Sequence, residues 1–189
     1  PECVSLIAEL CQSFILDIGA FSAWTRGERM DIDGFRAWVD VWGRHPACDW
    51  YLIPDVIDGD EADNDALLDG WPNGVPVWHL HESLSRLERL CHEFPRVAFG
   101  SSGAYAVVGN SSWWGRMTDA MGVACDSNGR PLAKLHGLRM LDPTIFSHLP
   151  FSSADSTNVA RNIGIDNAWK NVPYATASKI TRALILMER

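Results

Sequence analysis

Two aspartates sit in matched settings far apart in this chain. Leu16-Asp-Ile-Gly-Ala-Phe-Ser22 and Pro150-Phe-Ser-Ser-Ala-Asp-Ser-Thr157 each end an apolar run in one Asp followed at once by small residues. A strand delivers a carboxylate to the mouth of an α/β barrel in this way, and such folds do their chemistry there. Asp17 and Asp155, 138 positions apart, are thus expected to face each other across one pocket. Paired carboxylates serve chemistry at a sugar C1′, one as nucleophile and the other as acid or base.

Other apolar runs finish in the same manner. Asp55 follows Ile53-Pro54, His79 and His81 close a third run, Gly100-Ser101-Ser102-Gly103 closes a fourth, and His136 lies in a fifth. A lone Asp or His near a strand end is ordinarily a satisfied structural group. Six such residues at the same end of successive strands point to a shared site.

The elements that must position them follow from periodicity. Expected strands are 13–17, 49–54, 75–81, 96–100, 133–138 and 151–155. Helical patterns lie at 31–44, 61–69, 82–93, 112–123, 141–148 and 174–188. Asp31 and Asp33 suit a first helical turn, and Ser83 opens a segment whose leucines recur at 84, 87 and 90. Alternating strands and helices predict an α/β fold with a parallel sheet, read here as a TIM-like (β/α)8 barrel over a single domain, 1–189. Six strands are few for that barrel, so it is expected to be trimmed or to lack its first strand in this chain. An open doubly wound sheet is the competing architecture, but no GxGxxG or GxxxxGK[ST] follows any strand. Gly103–Gly115 reads as a loop suited to covering the pocket.

Composition bounds the partners. The 189 residues, 47% hydrophobic, suffice for one sizeable core. No apolar run approaches the roughly 18 residues that span a bilayer, and no signal peptide is visible, so no membrane partner is expected. Five scattered cysteines (Cys3, Cys11, Cys48, Cys91, Cys125) without a CxxC pair fit a reducing cytoplasm. The net charge of −8 is unevenly spread. Residues 1–93 carry 18 acidic against 6 basic side chains, and 94–189 carry 6 against 10. The second half therefore offers Arg116, Arg130, Lys134, Arg139, Arg161, Lys170, Lys179 and Arg182 as candidates for holding a phosphate backbone, or as ordinary solvated surface. Most of the nine tryptophans are expected in packing, with one or two free to stack on a base.

Taken in order, these segments resemble the tRNA-guanine (queuine/archaeosine) transglycosylases. Asp17-Ile-Gly-Ala-Phe-Ser22 resembles that family's DSGGFQ segment, and Ile53-Pro-Asp55 its strand with a base-recognising Asp. Val77-Trp-His-Leu-His81 lies where the family has G-[IV]-[IV]-Q-G. Ala98-Phe-Gly-Ser-Ser-Gly103 is similar to its glycine-rich loop, Leu135-His-Gly-Leu138 to its M-G-[VI]-G strand, and Phe151-Ser-Ser-Ala-Asp155 to its nucleophile strand. The likeness covers about residues 13–160 and is nearest to the divergent, often phage-encoded branch that includes deazapurine DNA transglycosylases.

The resemblance implies replacement of guanine in a nucleic acid by a 7-deazaguanine. Asp155 is then the nucleophile at C1′ of a flipped nucleotide and Asp17 the general acid–base. Asp55 would accept hydrogen bonds from the N1–H and exocyclic amine of the base. Gly100 and Ser101, with His79 or His81 and with His136, complete the implied substrate-binding set. The chain also departs from the family. Ile18 replaces the Ser after the first Asp, and no cysteine follows Cys125, so the tRNA enzymes' CxCxxC zinc motif is missing. With it goes an element tied to tRNA, which favours DNA as partner and implies no cofactor. Two rivals stay open: a metal-dependent hydrolase using His79, His81 and His136, the last joining from a neighbouring strand with Asp55, and a non-catalytic, nucleic-acid-binding relative.

Overall fold

The computed structural model describes residues 4–156. Its elements run α1 (Val4–Leu10), β1 (Phe14–Leu16), α2 (Ala20–Arg26), α3 (Ile32–Trp42), β2 (Cys48–Tyr51), α4 (Glu61–Ala66), β3 (Val77–His79), α5 (Leu84–Glu93), β4 (Arg96–Gly100), α6 (Ser111–Ala124), β5 (Lys134–Gly137), α7 (Pro143–Phe146) and β6 (Phe151–Ala154). All six expected strands are present, each within two residues of its expected start. The pattern at 174–188 lies outside the described residues.

Every strand pair is parallel and joins sequence neighbours. β1 pairs with β2, and a second run pairs β3 with β4, β4 with β5 and β5 with β6. A parallel bridge from Leu52 to Val75 connects the two runs, with Ile53 N–H donating to Val75 C=O at 2.9 Å and Val75 N–H to Tyr51 C=O at 2.8 Å. The strands therefore follow one another in chain order. No β1–β6 pairing occurs among the described residues, so what is established is a parallel α/β fold, not a closed barrel.

The period-2 alternation of side chains sorts each strand into two faces. Trp78, Leu80, Val97, Phe99 and Leu135 point to one side and pack on Leu87, Leu90, Trp113, Met117 and Ala120 from α5 and α6. Leu16, Tyr51 and Ile53 meet Phe35 and Val39 of α3 and Trp71. Their strand neighbours Trp50, Leu52, Val75, Val77 and Ala98 form a separate cluster on the opposite face, with Ile15 and Leu138 beside it. Both faces are thus covered, as buried parallel sheets require. Each fully buried side chain of the size of Leu or Phe contributes about 1.5–3 kcal/mol, so helix packing dominates the fold's stability.

Helix starts follow short polar caps. Asp31 accepts from Gly34 N–H (2.9 Å), Ser83 from Arg86 N–H (3.1 Å) and Asn110 from Trp113 N–H (2.8 Å), each satisfying an otherwise orphaned first-turn donor. Asp60 and Asp63 form a reciprocal capping box at α4, so the acidic run after Asp55 includes a helix start.

Three expectations need correction. The third strand is shorter than 75–81, because the chain turns at Leu80–Glu82, where Glu82 N–H bonds back to His79 C=O. Gly103–Gly115 is only partly loop: a 3-10 turn spans Gly103–Tyr105, and Asn110 caps α6 from Ser111 onward. Helices α1 and α2 were not anticipated. α2 is short, bounded by left-handed Gly19 and Gly27, and buries only Ala20 and Ala23, too narrow an apolar face to register as a period. No helix among the described residues is long and apolar enough to cross a membrane.

Candidate active site

The inward set of each strand, continued two residues past the core, lands in one cavity. Ile15 leads to Asp17, Val77 to His79, Ala98 to Gly100, His136 to Leu138 and Ser153 to Asp155. With Asp55, Ser101, Phe21, Ile57 and Arg139 these residues line a pocket of about 260 Å³ at the C-terminal ends of the strands. Both proposed catalytic aspartates and four of the six expected substrate-binding residues (Asp55, His79, Gly100, Ser101) are there.

Asp17 opens onto the cavity at the end of β1. Its Oδ1 accepts the N–H of Gly19 at 2.9 Å, a bond possible because Gly19 turns the chain into α2 at φ 77°, a conformation that costs glycine little. The surrounding protein mass nevertheless desolvates Asp17 and raises its pKa. The Gly19 bond opposes the rise, while the negative charges of Asp55 and Asp155 add to it. Asp17 therefore senses the other two carboxylates of this pocket.

Each of the other two has a histidine beside it. Asp55 is buried, and its Oδ2 lies 2.9 Å from His79 Nε2. Neither ring nitrogen of His79 makes an aligned hydrogen bond, so the pair is a close contact and not a directed N–H···O. The His79 ring fits because position 100 is glycine: a Cβ there would stand 2.9 Å from His79 Nδ1. Asp155 Oδ1 accepts the backbone N–H of Arg139 at 2.6 Å, and its Oδ2 lies 3.3 Å from His136 Nε2. His136 Nδ1 contacts Ser153 Oγ at 2.8 Å, and its ring stands edge-on to Trp50 at 4.8 Å. His136 is thus a support behind Asp155 and does not line the pocket.

The three histidines do not converge. The rings of His79 and His81 stack at 5.7 Å, but His81 lies beyond the strand and is exposed, with Nδ1 2.7 Å from Ser102 Oγ and Nε2 3.1 Å from Gly59 C=O. His136 belongs with Asp155, not with Asp55 as the sequence suggested. Among the described residues no three His, Cys, Asp or Glu side chains are grouped to hold a metal ion, and the metal-hydrolase arrangement of His79, His81 and His136 is not assembled.

Basic residues divide by position. Arg116 donates to the carbonyls of Leu80 and Glu82 and lies over Trp78 and Tyr105, so it braces the β3–α5 turn. Lys134 begins β5 at the opposite end from the pocket. Arg161, Lys170, Lys179 and Arg182 lie outside the described residues. Among the described members of the group, Arg139 alone reaches the cavity. It adopts φ 59°, which costs a non-glycine residue roughly 1–3 kcal/mol. That conformation aims its N–H at Asp155, while its guanidinium stacks 3.8 Å above Phe21 and Nη2 reaches Ser101 C=O at 3.3 Å. Burial lowers its pKa, and the Asp155 charge acts the other way.

Sequence reasoning had assigned no site role to Phe21 or Ile57 and had seen Arg139 only as one of eight cations. Phe21 sits inside the very segment that carries Asp17, which is the available signal for it; Arg139 follows Leu138 on the opposite parity and reaches the cavity only through its left-handed backbone. Comparison of the chain with protein-family models, with curated proteins and with solved structures found no match.

Proposed function

We propose that this chain is a nucleic-acid base-exchange enzyme that replaces guanine with a 7-deazaguanine through a covalent Asp155–C1′ intermediate. The observation that carries this reading is the convergence of Asp17, Asp55 and Asp155 on one pocket at the strand ends. A TIM-like barrel, of which the six sequential parallel strands form a wall, is the architecture that goes with it.

In the first displacement a carboxylate oxygen of Asp155 attacks C1′ of an extruded nucleotide and forms an ester bond. The C1′–N9 bond breaks, its electron pair leaves with guanine, and the protonated Asp17 supplies the departing base with a proton. The direction of the Asp17 shift, upward through burial, favours the protonated form that this task uses. In the second displacement the N9 of the incoming base attacks C1′, Asp17 takes its proton, and the ester breaks to restore Asp155. Two displacements retain the configuration at C1′. The Arg139 N–H and His136 hold the nucleophile's orientation.

Base choice falls to Asp55. A carboxylate accepts from both the N1–H and the exocyclic amine of guanine, an edge that adenine does not present. His79 fixes Asp55 from behind, and Gly100 with Ser101 gives the ring a thin wall to lie against. DNA is the proposed partner before tRNA, because the segments around Asp17, Asp55 and Asp155 resemble most the branch that includes deazapurine DNA transglycosylases.

The test is nucleoside mass spectrometry of DNA and tRNA from cells expressing the protein with a 7-deazaguanine supply. A deazaguanine nucleoside in DNA, lost with Asp155→Ala, is expected. An unchanged nucleoside profile in both pools, from folded and expressed protein, counts against the proposal.

A further inference from the structure

A second hollow of about 610 Å³ adjoins the pocket, and Phe21, Ile57, Ser101 and Arg139 line both. Beyond this shared wall it is bounded by Trp24, Asp58 and Ala106, among others. Trp24 is 48% exposed and Phe21 37% exposed, and their rings lean on each other at 5.8 Å. Large aromatics left open beside a reaction cavity mark a surface with a ligand to cover it.

Charge in the hollow is polarised. Arg139 stands on the dividing wall and has no carboxylate salt-bridge partner among the described residues; its side chain meets the Phe21 ring and the Ser101 carbonyl. Asp58 is the acidic group lining the hollow. A phosphate is therefore attracted to the wall and repelled from Asp58. An uncharged planar group suits the Trp24 face.

We infer that this hollow is a subsite for the nucleotide adjacent to the reacting one in a DNA strand. Its base stacks on Trp24, and the phosphate linking the two nucleotides sits on Arg139. The inference rests on the base-exchange reading and narrows its substrate to a strand: a free nucleoside fills the pocket but leaves the hollow empty. Stacking on an aromatic face serves any base, so this subsite recognises a single-stranded neighbour without reading its identity. Arg139 then has two separate roles, its N–H toward Asp155 and its side chain toward the phosphate.

The test compares binding of a single-stranded DNA trinucleotide with central guanine against 2′-deoxyguanosine, by calorimetry at several salt concentrations. The trinucleotide is expected to bind roughly tenfold or more tightly, from one stacked base and one phosphate contact. Trp24→Ala should remove most of that advantage and leave nucleoside binding unchanged. Trp24→Phe should restore part of it. Arg139→Gly keeps the left-handed backbone available and should lower the slope of log affinity against log salt by about one. Equal affinity for the two ligands, or variants that weaken both equally, overturns the subsite. A parallel exchange assay with labelled guanine separates the two ideas. Exchange that is indifferent to Trp24 and Arg139 defeats the subsite alone. Strand binding that depends on both residues, without any exchange, supports the subsite and defeats the base-exchange reading.

Discussion

Two acidic clusters lie on either side of β3, and they are built in opposite ways. Behind the strand, Glu82 and Arg86 are buried together at 2.7 Å, with side-chain exposures of 0% and 1%. Glu82 also accepts from Asn64 Nδ2 and from His79 N–H, both at 2.9 Å. Arg86 donates to Val77 C=O at 3.0 Å and to Asp65 at 2.9 Å, and Arg89 holds the second Asp65 oxygen. Those two arginines keep the Asp65 carboxyl below its usual range, despite an opposing desolvation. Every charge there has an opposite charge. In front of the strand, Asp17, Asp55 and Asp155 share one pocket in which Arg139 is the only lysine or arginine among the described lining residues. Burial, and to a lesser degree the charges of Asp55 and Asp155, make Asp17 hold its proton more tightly. Compensated charge fixes the turn that carries His79, and uncompensated charge is what the proposed proton and nucleophile chemistry would draw on. The two are one residue apart on the chain's path, since His79 lends its N–H to the first cluster and its ring to the second.

The contrast can be broken at either end. Asp155→Asn should cut base exchange by roughly a thousandfold or more, as loss of a nucleophile does, while the unfolding midpoint stays near that of the parent. A residual rate within tenfold of the parent would remove Asp155 from the chemistry. Arg86→Met should do the reverse kind of damage. It strands Glu82 in the interior and should cost about 3–5 kcal/mol in urea unfolding. Adding Glu82→Gln to it should recover much of the loss, because the unpaired charge is gone. No recovery would mean that packing, not charge, holds the turn.

Gly100→Ala tests the join between the clusters. The new Cβ meets His79 Nδ1 at 2.9 Å and Val77 Cγ1 at 3.4 Å, so the ring must move off Asp55. Overpacking of this kind costs about 1–3 kcal/mol, and guanine affinity should fall by more than the affinity for a hypoxanthine base, which lacks the exocyclic amine. Equal losses for both bases would detach Asp55 from base reading. The smallest effect is on stability against pH. Because the folded-state pKa of Asp17 is raised, its contribution is favourable below the unfolded carboxylate pKa and is lost as pH rises through the folded value. Asp17→Asn should therefore melt higher than the parent at neutral pH, with the difference shrinking as pH falls through the carboxylate range. A variant that melts lower than the parent at pH 7 would contradict the desolvated, crowded carboxylate described here.

Much of this was legible in the sequence because strands impose a parity. Asp17, Asp55, His79, Gly100 and Asp155 end or follow short apolar runs, and parallel strands in chain order bring such ends together. What was not legible depended on where a run stops. His81 reads as the strand partner of His79 by period 2, yet Glu82 pulls the chain into a turn one residue earlier and sends His81 to Ser102 and Gly59. His136 looked like a companion of Asp55, but register sets it against Ser153 and Asp155 on β6. Arg139 was hidden for a different reason. No local propensity announces an arginine at φ 59°, and only the Asp155 carboxylate across the strand pair explains it. Helix α2 was hidden because seven residues with two buried alanines carry too little apolar pattern.

The central claim is that Asp155 attacks C1′ of a guanine nucleotide. The most direct test mixes the protein with a guanine-containing single-stranded DNA, quenches in acid, and maps the adduct by peptide mass spectrometry. A mass increment equal to the DNA strand minus guanine is expected on the peptide bearing Asp155, released by added 7-deazaguanine and absent from Asp155→Ala. Base exchange with no adduct on that peptide, or an adduct mapped to Asp17, would contradict it.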